Sequence, residues 1–248
     1  MTYTPMLKLG TYDFPAGFSV ASNPSNSILE VTQRPYADGA IVGTPLLSAK
    51  IITIRGTLFA TTASDMRTQM DALLAAVNSG RQKLYLWDDR YIYATKRSFS
   101  TNYDPSSFDR YCDVAIDFVC DVGLFEAETV STDTWATPAN GATRSITNAG
   151  GAFAMPTFAI KFTGTSASMR LAVGSDYFNF EETVTAGNTV TVDCAAKTVL
   201  IGTTDKMSGF TGVFPSLASG ANTLTLTITR IGASAITSIV TTWRNRWY

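Results

Sequence analysis

Paired carboxylates are the residues of this sequence that come closest to a catalytic arrangement. Asp88-Asp89 and Glu181-Glu182 each place two acidic residues next to each other. Neighbouring residues of a β-strand point to opposite faces, so neither pair converges on one atom. A glycosidase needs two carboxyl groups about 5 to 10 Å apart across a sugar, a distance that the sequence does not determine. Glycan hydrolysis therefore stays open as an alternative.

The sequence contains no histidine, and this absence removes most familiar catalytic centres. Ser/His/Asp sites, Cys/His sites and histidine-ligated zinc sites cannot form without that residue. A phosphate-binding loop is also missing, because Gly150-Gly151 is followed neither by a helix pattern nor by GK[ST]. We therefore expect no catalytic residue, no cofactor and no metal site, and we predict that the protein is not an enzyme.

The cysteines and the charge narrow the protein class further. Cys112 and Cys120 lie on one predicted strand, about 26 Å apart at about 3.3 Å per residue. With Cys194 they predict three reduced, buried thiols and folding in a cytosol. A net charge of −1 gives no attraction for nucleic acid or anionic membrane. No apolar run of about 20 residues predicts a transmembrane helix, and the first residues predict no secretory signal.

One stretch, residues 49 to 95, has a strand–helix–strand pattern and positions the residues around it. Residues 49–59 are rich in β-branched side chains, which favour a strand. Met66, Met70, Leu73, Leu74 and Val77 then follow the spacing of one helix face. The sequence predicts a helix over about 64–79, capped by Ser64 and ended before Gly80, with Leu73 and Leu74 buried.

The rest of the chain has strand and turn signals. Residues 111–120 alternate, with Asp113 and Asp117 on the face expected to be wet. Residues 123–151 are dominated by Thr, Ala, Gly, Asn and Ser, which is typical of a passage between domains. Seven short strands in about 95 residues after Phe153 favour a β-sandwich or jelly roll. They are predicted at 157–162, 168–173, 177–180, 189–193, 198–201, 223–229 and 235–243.

Several residues are candidates for surface contacts. The C-terminal residues mix large aromatic and basic side chains, which are costly to leave in water and common at interfaces. They either dock on their own chain or meet a neighbour. A further candidate is a loop from Pro35 to Pro45. The predicted interface residues are Arg34, Tyr36, Trp243, Arg244, Arg246, Trp247 and Tyr248, and Tyr177 is a candidate for glycan contact.

These patterns, taken in order, resemble the distal tail protein family of phages with long non-contractile tails. In the first half, the matching pieces are residues 51–58, the helix with Gly80, Leu84-Tyr85-Leu86 with Asp89-Arg90-Tyr91, and residues 114–118. In the second half they are residues 190–193, 197–199, 214–217 and 219–224, and the ending Trp243-Arg244-Asn245-Arg246-Trp247. The passage near residues 129–143 has no counterpart.

The resemblance implies a mainly β protein with two domains. Residues 1–128 would be a split-barrel-like β domain with one α-helix that assembles into a ring. Residues 129–151 would connect it to a galectin-like β-sandwich at 152–248. The family's function would be a homohexameric ring at the phage tail tip that joins the tail tube to the hub or baseplate. The ring would leave a channel for DNA.

The partners implied by the resemblance are further copies of the chain, the tail tube protein and the tail-tip hub protein, with host glycan as an additional possibility. No sequence-specific binding of nucleic acid and no membrane insertion are expected. The location would be the virion tail tip, after assembly in the cytoplasm of a bacterial host. The alternative hypothesis is a lectin-like protein that attaches to carbohydrate on the host surface.

Overall fold

The computed structural model describes residues 7–24, 27–28, 31–33, 40–42, 46–47, 49–103, 110–163, 166–228 and 236–248. Internal contacts divide the chain into two units. The first unit is Met1–Phe125 with Tyr248, and the second is Glu126–Trp247. The predicted fold class is confirmed: the protein is mainly β, with two units and, in the described residues, one α-helix. None of the described helices is long and apolar enough to cross a membrane.

The first unit is built on seven antiparallel strands in the order β2-β1-β9-β10-β11-β8-β3. The described part of this sheet is open, so the predicted split-barrel-like form does not close into a barrel here. Two short pairs, β4–β7 and β5–β6, lie outside this order. The strands are β1 Lys8–Leu9, β2 Tyr12–Asp13, β3 Ser19–Ser22, β4 Ser27–Ile28, β5 Val31–Gln33, β6 Ala40–Val42, β7 Leu46–Leu47, β8 Lys50–Phe59, β9 Gln82–Trp87, β10 Arg90–Tyr103 and β11 Tyr111–Cys120.

One face of β8 and β11 forms the core of the first unit. Every second residue of β11 is buried, from Cys112 to Cys120. On β8 the buried side chains include Ile52, Ile54 and Leu58. This alternation is the one predicted from the sequence, and the middle of the opposite face carries polar residues on both strands, including Thr53, Arg55 and Thr57 on β8.

Helix α1 (Ala63–Val77) buries the predicted apolar stripe, and it packs against β8. Leu73 is fully buried, whereas Leu74 is half-buried at the side of the stripe. The predicted cap at Ser64 is wrong: the N-cap is Thr62, whose side chain accepts a hydrogen bond from the Asp65 N–H. Thr62 has extended backbone angles, as a cap requires, while Ser64 already lies in the first turn.

The second unit contains two antiparallel sheets. One has six strands in the order β13-β23-β15-β18-β19-β20, and the other has five in the order β14-β22-β16-β17-β21. The strands are β13 Ser131–Ala136, β14 Thr143–Asn148, β15 Thr157–Phe162, β16 Ser166–Val173, β17 Asp176–Thr183, β18 Thr189–Asp193, β19 Thr198–Ile201, β20 Thr204–Asp205, β21 Phe210–Gly212, β22 Gly220–Ile228 and β23 Ile236–Trp243. A 3-10 helix, η1 (Met207–Gly209), precedes β21. Two short strands, β12 (Phe125–Ala127) and β24 (Arg246–Trp247), pair with each other.

Both sheets contribute to one apolar core. Phe158, Ile160 and Ile239 from the first sheet meet Phe178 and Leu226 from the second in a continuous buried cluster. Two sheets packed face to face on one core form the predicted β-sandwich. The seven strands predicted after Phe153 are all present, and their ends differ from the prediction by at most three residues.

The residues predicted as an inter-domain passage, 129–151, include two strands of the sandwich. β13 pairs with β23, and β14 pairs with β22, each at the edge of its sheet. Few of their side chains reach the core, chiefly Trp135 and Ile146. The small polar residues that resembled a connector therefore belong to edge strands, which have mostly exposed side chains.

All three cysteines are free and buried, as predicted. Burial raises the pKa of the Cys120 and Cys194 thiols to about 12, and burial also raises the pKa of Cys112. Because the thiolate is the reactive form, none of the three should react readily near neutral pH.

We expect no rapid labelling of the native protein by Ellman's reagent at pH 8, and labelling of all three thiols in guanidinium chloride. A Ser100→Cys variant is the matched control, since it adds one thiol at an exposed position of β10. It should give one fast equivalent. Rapid stoichiometric labelling of the native wild-type protein would contradict the burial of the thiols.

Candidate functional site

The first unit carries a regular patch of polar side chains on the face of its sheet opposite the core. We call it the polar face. In the strand register, Asp117 lies between Thr53 and Ser98, Ala115 between Arg55 and Ser100, and Asp113 between Thr57 and Asn102. The polar face is therefore three rows of three residues, namely Thr53, Arg55 and Thr57 of β8, Asp113, Ala115 and Asp117 of β11, and Ser98, Ser100 and Asn102 of β10.

Hydroxyl groups hold both carboxylates of the polar face. Thr53 Oγ1 donates to Asp117 Oδ1 at 2.8 Å, and Ser98 Oγ donates to Asp117 Oδ2 at 2.7 Å. On the third row, Thr57 Oγ1 donates to Asp113 Oδ1 at 2.7 Å. Hydrogen bonds from Ser98 and Thr53, with smaller contributions from the positive charges of Arg97 and Arg55, lower the pKa of Asp117. Its carboxylate is therefore ionised at neutral pH.

The polar face borders a shallow groove of about 620 Å³. Its walls combine Arg55, Asp113 and Asn102 with the small residues Gly56 and Ala115. Ala115, on the central strand β11 between Arg55 and Ser100, is the smallest side chain of the three rows. An aromatic pair, exposed Phe59 and half-buried Tyr111, forms the next row of β8 and β11, with ring centroids 5.5 Å apart.

The chemistry available at the polar face is limited to hydrogen bonding and charge. Its two carboxylates each accept hydrogen bonds from neighbouring hydroxyl groups. Within the described residues, no group of three or more Cys, Asp or Glu side chains could hold a metal ion.

The second candidate surface is the C-terminal segment, residues 243–247, and its residues dock on the second unit. Arg246 donates from Nε and Nη2 to Glu126 Oε1, at 2.9 and 2.5 Å. Both side chains are 17% exposed. Arg244 donates from Nη1 to the carbonyl oxygen of Ala127 at 2.8 Å and also to that of Glu128.

Asn245 and Gly150 complete the docking of this segment. Asn245 Oδ1 accepts hydrogen bonds from Trp243 Nε1 at 3.1 Å and from the Ala149 N–H at 3.2 Å. The Ala127 N–H donates to the carbonyl oxygen of Asn245 at 2.9 Å. Beside them, a Cβ on Gly150 would lie 2.5 Å from the backbone nitrogen of Arg246 and closer still to its carbonyl oxygen. Only glycine fits at this crossing, where the backbone of residue 150 passes against the backbone of Arg246.

Buried asparagine side chains support the crossing. Asn148 Nδ2 donates to the carbonyl oxygen of Ala152 at 2.9 Å, and its Oδ1 accepts from the Gly150 N–H at 3.0 Å. Asn222 Oδ1 accepts from the Ala218 N–H at 2.9 Å. Sequence analysis did not single out these asparagines. Asn148 preceding the Gly150-Gly151 pair was the available signal, because asparagine commonly bonds to nearby backbone in turns.

The predicted interface residues are thus placed in three different situations. Trp243 is buried at 6% exposure, Trp247 is half-buried, and Tyr248 is 58% exposed. Arg34 and Tyr36 lie outside the described residues. The sequence left open whether the C-terminal segment docks on its own chain; Arg244 and Arg246 do so, and their participation in an interface stays a prediction.

The remaining predicted contacts and acidic pairs do not converge on a site. Tyr177 is 38% exposed, but the Arg170 guanidinium lies 3.4 Å from the centroid of its ring and covers one face. Asp88-Asp89 forms the turn between β9 and β10, and Asp89 pairs with Arg90 at 3.2 Å. In the second pair, Glu182 binds Lys206 at 2.9 Å while Glu181 is exposed.

Arg246→Lys should lower the free energy of unfolding by about 1–1.5 kcal/mol, because lysine lacks the Nε donor that binds Glu126 together with Nη2. Urea denaturation, followed by tryptophan fluorescence, measures this change. The matched control is Arg144→Lys, since Arg144 also donates twice to one carboxylate, Asp133, but at the surface. An equal effect of the two substitutions would contradict the importance of burial.

Comparison with protein families gives a match over part of the chain. Residues 149–247 match the family described as siphovirus-type tail component, C-terminal domain. A comparison with curated protein sequences finds no match. The family match covers β15 to β24, including the C-terminal segment, and it confirms the resemblance to distal tail proteins that the sequence motifs predicted.

Comparison with solved structures extends over the whole chain. The chain is similar to the Dit protein (gp 19.1) of phage SPP1, described as a paradigm of the hub adsorption apparatus in phages that infect Gram-positive bacteria. The match has a TM-score of 0.75 and 16% identity, and it covers 99% of this chain and 100% of that chain. A chain of the activated phage P2 baseplate with Ca aligns at a TM-score of 0.36 and 12% identity, covering 88% of this chain and 94% of its own. Of these two matches, the one to SPP1 Dit supports the fold.

Proposed function

Because residues 149–247 match the siphovirus tail-component family and the chain has the fold of SPP1 Dit, we propose that this protein is a Dit-like structural component of a phage tail hub or baseplate. In this proposal it forms a homohexameric ring that joins the tail tube to the distal hub and leaves a channel for DNA. It assembles in the cytoplasm of a bacterial host and remains in the virion tail.

The observation that carries the proposal is the similarity over the full length of both chains. If the two proteins had only one domain in common, the alignment would cover one unit of this chain. Here both units align with the SPP1 hub protein. The partners we propose are further copies of the chain, the tail tube protein and the tail-tip hub protein. Binding of carbohydrate is not favoured, because Arg170 already covers one face of the exposed aromatic candidate, Tyr177.

The ring is tested on the purified protein. A hexamer has six times the mass of the 26.7 kDa chain, and multi-angle light scattering distinguishes the two masses readily. Negative-stain electron microscopy should then show six-fold rings with an open centre. A protein that keeps the mass of a single chain at high concentration, even with the tail tube protein present, would overturn the proposal.

We assign the polar face to the wall of the channel. Its side chains are almost all hydroxyl, amide or charged groups, and its strands are the long ones of the first unit, β8, β10 and β11. The other face of β8 is covered by helix α1. The wall of a water-filled passage needs polar side chains such as those of the polar face. An exposed apolar surface would instead be buried against a neighbouring subunit.

A gold label can locate the polar face in the ring. Ser100→Cys places one reactive thiol among three unreactive ones, so a maleimide–gold particle should appear at the inner wall of the ring in micrographs. Ala72→Cys is the control, because Ala72 is exposed on helix α1, and its label should appear elsewhere. Gold outside the channel for Ser100→Cys would reject the assignment while leaving the ring intact.

A further inference from the structure

The polar face and the adjacent Arg97 together carry two positive and two negative charges. Arg55 occupies the middle row of β8, and Asp113 and Asp117 occupy the outer rows of the adjacent strand β11. The two carboxylates are four residues apart, about 13 Å along the strand. Ala115 lies directly opposite Arg55, between the two aspartates. Its methyl group is too small to screen the Arg55 guanidinium from the carboxylates of Asp113 and Asp117. Arg97 is exposed next to Ser98, the residue that binds Asp117.

The carboxylates are anchored more firmly than those of ordinary surface residues. Asp117 accepts two hydroxyl hydrogen bonds and Asp113 accepts one, all between 2.7 and 2.8 Å. For Asp117, these hydrogen bonds also favour the ionised form and lower its pKa. The negative charges therefore stay in place beside the arginines, whereas a mobile surface carboxylate could move away from an approaching polyanion.

We propose that Asp113 and Asp117 cancel the attraction of Arg55 and Arg97 for nucleic-acid phosphates, so that duplex DNA passes the polar face without adhering. This inference rests on the proposed channel. In a six-copy ring, the two arginines per chain would present 6 × 2 = 12 cations to the DNA, and the two aspartates would present 12 carboxylates. A single uncompensated arginine attracts DNA weakly, but a ring of six chains presents that arginine six times.

The consequence is a predictable gain of binding when the carboxylates are neutralised. Four new phosphate contacts alone would give a salt slope of about −3.6 and a loss of affinity of about 100-fold between 50 and 200 mM salt. Asp113→Asn/Asp117→Asn is the suitable variant. Asparagine keeps one side-chain oxygen, which can accept the single Thr57 bond at residue 113 and one of the two hydroxyl bonds at residue 117. The amide group at residue 117 can donate to the oxygen of the other hydroxyl, so the sheet is preserved.

The test measures binding of a fluorescent 30-base-pair duplex DNA to rings by anisotropy at 50 and 200 mM salt. We expect negligible binding by the wild-type ring and salt-sensitive binding by the double variant. The matched control is Asp133→Asn/Asp176→Asn, which makes the same change in net charge and deprives Arg144 of its carboxylate partner away from the polar face. This control should bind no more DNA than the wild type.

Two additional variants keep the result interpretable. Asp117→Asn alone retains the Thr57–Asp113 hydrogen bond and should give intermediate binding. Adding Arg55→Gln to the double variant should reduce the binding again. Rings of the double variant that bind DNA no better than the control would overturn the inference and leave the proposed function standing. Absence of rings in the wild-type protein would instead reject the proposed function.

Discussion

Leu73→Asp should prevent the first unit from folding and leave the protein insoluble. Leu73 has no exposed surface and lies at the centre of the buried stripe of helix α1. Removing a buried leucine side chain costs about 2–5 kcal/mol, and an unpaired buried carboxylate adds several more. This total approaches the whole stability of a typical domain, about 5–15 kcal/mol. Soluble yield and circular dichroism measure the outcome.

Ala72→Asp is the control for this prediction, because it introduces the same side chain one residue earlier on the exposed side of α1. Its effect on stability should be small, since surface substitutions usually change it by less than about 0.5 kcal/mol. A soluble Leu73→Asp variant that still forms rings would show that the stripe is not the core of the first unit. Equal loss of both variants would point to charge on the helix as the cause.

Gly150→Ala should undock the C-terminal segment and destabilise the second unit by about 3 kcal/mol, the upper part of the usual range for overpacking. The added methyl group would overlap the backbone of Arg246, which is not a flexible side-chain end that can move aside. Relief requires the strand β24 to shift, and the shift also disturbs the hydrogen bond from the Ala152 N–H to Arg246 and the ion pair with Glu126. Urea denaturation of the variant measures the loss.

The adjacent glycine provides the control for Gly150. A Cβ on Gly151 would lie 3.6 Å from Trp247 Cδ1, an ordinary van der Waals contact. Gly151→Ala should therefore change stability by less than about 1 kcal/mol. Equal stability of the two variants would mean that the backbone of residues 246–247 is not held against Gly150 in solution.

The sequence predicted those elements whose periodicity comes from a buried face. Helix α1 and strand β11 have an apolar side chain at every position that contacts the core, so the helical period of one and the alternation of the other are visible without a structure. The N-cap was harder, because Thr61, Thr62 and Ser64 are all suitable caps. Only the backbone angles and the hydrogen bond to Asp65 distinguish Thr62.

Elements that bury little were not predictable in this way. β13 and β14 lie at sheet edges, where one or two inward side chains, such as Trp135 and Ile146, are too few to establish a period. The polar face was predicted in part, because the alternation of residues 111–120 placed Asp113 and Asp117 on the solvent-exposed side. Their hydroxyl partners Thr57 and Thr53 come from β8, a strand distant in sequence, and only the pairing register brings them together.

The C-terminal segment shows a third kind of limit. Its aromatic and basic composition indicates burial or an interface, but composition does not identify the partner. The partner is the start of the same unit, Glu126 and Ala127, through the Arg246 side chain and the Asn245 carbonyl oxygen. Those contacts join opposite ends of the unit, which no local sequence pattern records.

The beginning and the end of the second unit therefore lie side by side. A unit whose two ends lie side by side can be deleted or replaced by another unit at one pair of adjacent junctions. The path of the rest of the chain does not have to change. The second unit has this property, because Glu126 at its beginning and Arg246 at its end are bound to each other. Arg244 and Arg246 hold the two ends of the unit together, because they bind Ala127 and Glu126 at its beginning.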